Sequence, residues 1–89
     1  MNDELLIKVK KGLGITGDYQ DDTLQIYIDE VKDFMLEAGV SNATINNNSS
    51  VGVIIRGVSD LWDYGSGSTG LSPYFKERVV QLRAGEKYV

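Results

Sequence analysis

Apolar residues recur at helical spacing in four stretches of this chain, with polar or glycine-rich segments between them. The first covers roughly Asp3 to Lys11, with Asn2 a candidate N-cap and Leu5, Leu6 and Val9 facing inward. Gly12 and Gly14 are expected to end it. The second covers about Asp21 to Ala38. There Leu24, Ile28, Val31, Met35 and Ala38 make one buried stripe, widened by Tyr27 and Phe34, and Gly39 supplies a left-handed stop. The third, Val51 to Tyr64, has the most apolar face: Val51, Ile54, Ile55, Val58, Leu61 and Trp62. Its opening, Val51 to Ile55, also suits a short strand, but the period runs on through Trp62 and no strand partner is visible, which favours a helix. The fourth, Pro73 to Arg83, is marked at both ends. Ser72 is an N-cap, Pro73 fits the first helical position, Arg83 suits the negative end of the dipole and Gly85 offers a stop. Phe75, Val79 and Leu82 form its inward side.

The linkers are of two kinds. Ser41 to Ser50 is rich in Asn and Ser and is expected to be a weakly ordered turn region. Gly65 to Gly70 reads as a flexible glycine–serine loop. The expected architecture is all-α: a small bundle of about four helices with two flexible loops, a single domain over residues 1–89 with 84–89 as an extended C-terminal tail.

A chain of 89 residues buries only about 60–65% of its unfolded surface, so its solitary stability is modest. It has no cysteine to compensate with a disulfide or thiolate metal site, which leaves oligomerisation as the common remedy. No apolar run reaches the roughly 18 residues needed to cross a bilayer, and the N-terminus lacks the layout of a signal peptide. The sequons at Asn42 and Asn48 are therefore read as accidental.

The net charge of −4 is unevenly spread. Residues 18–38 carry seven acids against Lys32 alone, while residues 1–11 and 72–89 are mildly basic. That acidic middle argues against a DNA reader, which concentrates Lys and Arg on one face.

Chemical constellations are weak. Gly65-Ser66-Gly67-Ser68-Thr69-Gly70 fits the dinucleotide-binding pattern by letter, but a helix precedes it and no βαβ unit surrounds it, so it reads as a loop. Asp18, Asp21 and Asp22 lack the order of a calcium loop. They read as acids at a helix N-terminus, with Asp18 or Asp21 as N-cap. Asp29, Glu30, Asp33 and Glu37 form the wet face of the second helix. The chain has neither histidine nor cysteine, and four short helices leave little room for a catalytic pocket. No catalytic, cofactor-binding or metal-binding residue is expected. Tyr74 and Tyr88 lie off the inward stripe beside basic residues, a setting that favours contact anchors, while the tail Glu86-Lys87-Tyr88-Val89 equally suits a frayed end.

The ending Gln81-Leu82-Arg83, on a short acidic chain opening Glu4-Leu5-Leu6-Ile7-Lys8-Val9-Lys10, resembles the small phage head–tail connector (DNA-packaging adaptor) family, which ends in Gln-Leu-Arg-Gly. Leu5, Leu6, Lys8, Leu13 and Ile15 match its opening helix and turn. Asp21, Asp22, Leu24 and Ile28 match its second helix, and Leu61 and Trp62 match its third. Phe75 to Arg83 match the end, except that Ala84 stands where the family has Gly, with Gly85 following. That places the helix stop one residue later.

The resemblance implies a structural adaptor in the virion of a tailed phage, at the head–tail junction. It implies a dodecameric ring under the portal protein that extends the DNA channel and docks a neck, stopper or tail-completion protein. Double-stranded DNA would pass through without specific binding, and no membrane is involved. A heterologous contact between oppositely charged sides suits such a ring. Asp29, Asp33, Arg78, Gln81, Arg83 and Tyr88 are the expected interface residues, with acids of 21–37 meeting Lys8, Lys10, Lys11, Arg78 or Arg83 of a neighbour. Two other readings stay open at this point: a helix-turn-helix DNA-binding regulator, and a helical protein-interaction module unrelated to virions.

Overall fold

A computed structural model describes residues 3–64 and 71–86. Its helices are α1 (Asp3–Leu13), α2 (Asp21–Glu37), α3 (Asn42–Ile45), α4 (Val51–Tyr64) and α5 (Pro73–Glu86), with a 3₁₀ turn at Asn48–Ser50. The described residues contain no strand, and the Val51–Ile55 segment opens α4. No helix among them is long and apolar enough to cross a membrane.

The connections that follow α1 and α2 begin with the same device. After α1, Gly14 takes φ +73° and Ile15 N–H donates back to Lys10 C=O at 2.9 Å. After α2, Gly39 takes φ +98°, Gly39 N–H donates to Leu36 C=O at 3.0 Å, and Val40 N–H donates to Met35 C=O at 3.0 Å. Each glycine allows the left-handed turn, and the apolar residue after it folds back on the helix it has just ended. Gly12 is not a stop, contrary to expectation. It lies inside α1, where a Cβ would come within 2.8 Å of Ile55 Cγ2. The glycine there serves the close approach of α1 to α4.

α4 is the hub, with α1, α2 and α5 arranged around it. Ile54, Val58 and Leu61 are fully buried, and so are Leu24, Ile28, Val31 and Met35 of α2. Phe75 and Val79 of α5 close the core, where the Phe34 and Phe75 rings lie 5.7 Å apart. Trp62 meets the edge of Tyr27 at 6.1 Å.

Three further expectations need correction. The Ser41–Ser50 segment is folded. Ser41 Oγ caps α3 by accepting from Thr44 N–H, Asn47 accepts from Ser49 N–H, and the buried Ser50 Oγ donates to Thr44 C=O at 2.6 Å. Its Asn and Ser side chains satisfy the local backbone, and Ile45 pins the segment to the core. The N-cap of α2 is Gln20, which makes no side-chain cap bond; neither Asp18 nor Asp21 holds that place. Finally, the tail expected from residue 84 begins as helix, because α5 continues through Ala84 and Gly85 to Glu86. The Asn2 cap, the Gly65–Gly70 loop and Tyr88 lie outside the described residues.

Candidate functional site

Two surfaces of unlike chemistry stand on opposite sides of the molecule, and the helix periods explain both. α2 turns Leu24, Ile28, Val31 and Met35 inward. The opposite stripe, Asp22, Ile26, Asp29, Asp33 and Leu36, is exposed along its whole length. Ile26 is 61% exposed and Leu36 41%. Asp29 accepts a hydrogen bond from Gln25 Nε2 at 3.0 Å, one turn before it on the same helix. The stripe thus presents three carboxylates with two uncovered apolar side chains among them.

The second surface is a groove of about 640 Å³ where the C-terminal end of α1, the outward side of α4 and the first turns of α5 meet. Leu13, Val53 and Ile55 contribute its apolar lining, and Arg56, Tyr74 and Arg78 its polar rim. It faces away from α2. The inward side of α4 meets α2 at Gly57, beside Val31, and at Trp62, against Tyr27. Arg56 emerges on the other side.

The rim is held in place by a residue that the sequence pattern did not single out. Asp60 is buried, with its Oδ1 3.5 Å from Arg56 Nε and its Oδ2 accepting from Ser72 N–H at 3.0 Å. Ser72 Oγ in turn accepts from Phe75 N–H at 3.2 Å, the cap expected of it. One carboxylate therefore fixes both the start of α5 and the Arg56 guanidinium, which lies 5.2 Å from the Tyr74 ring centre. The available signal was the i, i+4 spacing of Arg56 and Asp60, indistinguishable in sequence from an exposed pair.

Of the expected interface residues, Asp29, Asp33, Arg78, Gln81 and Arg83 are all exposed. Arg78 and Gln81 share one flank of α5, joined by a 3.0 Å bond from Arg78 Nη1 to Gln81 Oε1. Arg83 leaves from the other flank and crosses the end of α2, where a Cβ on Gly39 would lie 3.0 Å from its Nε. Its charge suits that helix C-terminus. Lys10 is already engaged within the chain, its Nζ 2.7 Å from Asp21 Oδ1. That pair ties the last turn of α1 to the first turn of α2. Among the described residues, no group of three or more acids could hold a metal ion.

Comparison with known proteins adds a family. A family model described as phage gp6-like head-tail connector protein matches residues 3–84, nearly the whole chain. No curated protein and no solved structure matches.

Proposed function

Because the chain belongs to the phage gp6-like head–tail connector family, a family of structural virion proteins, we propose that it is the adaptor that assembles as a ring, dodecameric when complete, beneath the portal protein. In that place it extends the DNA channel and offers a platform to a neck, stopper or tail-completion protein. The observation that supports this best is the separation of an acidic, partly apolar stripe on α2 from an arginine-rimmed groove on the far side of α4. Complementary faces on opposite sides favour head-to-tail association, which closes into a ring when its rotation divides the circle. Asp29 and Asp33 serve one side of that contact and Arg78 and Gln81 the other. Arg83 and residues 87–89, Tyr88 among them, face the portal. Duplex DNA is expected to slide through, since seven acids against Lys32 alone over residues 18–38 oppose a broad phosphate-binding surface.

The test is attachment to portal-bearing capsids, followed by co-sedimentation. The wild-type chain should attach, and a chain lacking residues 87–89, with α5 intact, should keep its helicity and attach poorly. Failure of the wild-type chain to attach, or micromolar binding to random duplex at physiological salt, would overturn the proposal.

A further inference from the structure

We propose that the groove rimmed by Arg56, Tyr74 and Arg78 is the seat for the exposed α2 stripe of a second copy of this chain. This deepens the ring reading above and rests on it, by naming which surface receives which.

Charge selects the occupant. Among the described residues no carboxylate lines the groove, and Asp60 beneath it is buried and already engaged by Ser72 N–H and Arg56. The rim is therefore cationic toward solvent. The α2 stripe offers the matching anions, Asp29 and Asp33, one turn apart. Apolar surface matches as well. Ile26 and Leu36 stand ten positions apart on α2, about 15 Å along the axis, and both are uncovered in the single chain. The groove answers with the half-buried Leu13 and Ile55 behind its rim.

The rim is also prepared in advance. Arg56 is 48% exposed yet held from below by Asp60 and from the side by Tyr74. A guanidinium already positioned loses less freedom when it takes a carboxylate. The groove is open at Gly52, where a Cβ would meet nothing within 4 Å. A second copy suits this better than a nucleic acid does. Two arginines are few for phosphate binding, and Ile26 and Leu36 would remain uncovered.

Because the native chain has no cysteine, crosslinking tests this directly. Glu37→Cys, one turn beyond Asp33 on the exposed side of α2, and Gly52→Cys are combined in one chain, treated with a short bismaleimide, and compared with each single variant. The comparison is made free at millimolar concentration and on portal-bearing capsids. The double variant should give a ladder of covalent oligomers under at least one condition, and each single variant should stay monomeric. A crosslinked dimer from Glu37→Cys alone would mean a two-fold, face-to-face contact and would overturn the seat. Wild-type attachment with no ladder from the double variant would also overturn the seat, while leaving the connector reading standing. A ladder in solution without capsid attachment would do the reverse.

A steric pair of variants separates blocking from unfolding. Gly52→Ala should preserve attachment to portal-bearing capsids, and Gly52→Tyr should abolish it at an unchanged melting temperature. Duplex binding lost in Arg78→Glu but kept in Asp33→Lys would assign the groove to nucleic acid instead and overturn the proposal.

Discussion

At Gly57, α2, α4 and α5 meet with no room for a side chain. A Cβ there would lie 2.7 Å from Phe75 Cε1 and 2.9 Å from Val31 Cγ2. Both neighbours, Val31 and Phe75, are buried, so nothing swings aside into solvent. Gly57→Ala should therefore cost about 1–3 kcal/mol despite the helix propensity it gains, and urea denaturation would show an unchanged midpoint if that packing argument is wrong. Asp60 is the other residue on which several parts depend. Asp60→Ala leaves Ser72 N–H without its acceptor and Arg56 without its anchor, a loss of about 1–3 kcal/mol. Asp60→Asn retains an acceptor and should recover part of that loss, with Ser72 amide hydrogen exchange as the local readout. Equal destabilisation by both substitutions would shift the explanation from the hydrogen bond to the charge.

Among the helices, α2 and α4 are defined by broad apolar stripes, whereas α5 depends more on how it begins. Ser72→Ala removes the acceptor for Phe75 N–H and should cost about 1 kcal/mol. Exchange should quicken in the first turn of α5 and leave α2 unaffected; uniform acceleration throughout would contradict this. The four long helices were legible in the sequence for the same physical reason that makes them stable. The period in α2 and α4 is unbroken, and Gly14 and Gly39 each precede a β-branched apolar residue that folds back. Ser41–Ser50 was misread because Asn and Ser favour turns and short capped helices alike. Only tertiary burial of Ile45 and Ser50 decides between them. The end of α5 was misplaced because Gly85 is a stop only when it takes positive φ, and here it continues the helix. Of the interaction surfaces, Asp29, Asp33 and Arg78 were legible as exposed charges. The groove was not, since it is assembled from three separate helices.

For the whole molecule, folding and the proposed association draw on different residues. The core is made of the inward stripes, while the α2 acids and the groove rim lie outside it. Asp29→Lys with Asp33→Lys should leave the melting temperature within a few degrees of wild type and weaken capsid attachment at least about tenfold. Attachment of the wild-type chain should likewise weaken from low to high salt, as expected of exposed pairs acting together. Salt-independent attachment, or attachment unaffected by the double reversal, would remove electrostatics from the contact. The edge-on pairing of Trp62 with Tyr27 bears on how these two processes can be followed. Trp62 is the chain's single tryptophan, lodged where α2 meets α4 and part of neither the acidic stripe nor the groove. Its fluorescence emission therefore has one source, at the seam between the two principal helices. It should shift when those helices separate and stay constant as subunits join. The protein thus carries an intrinsic optical reporter of folding that remains silent during assembly.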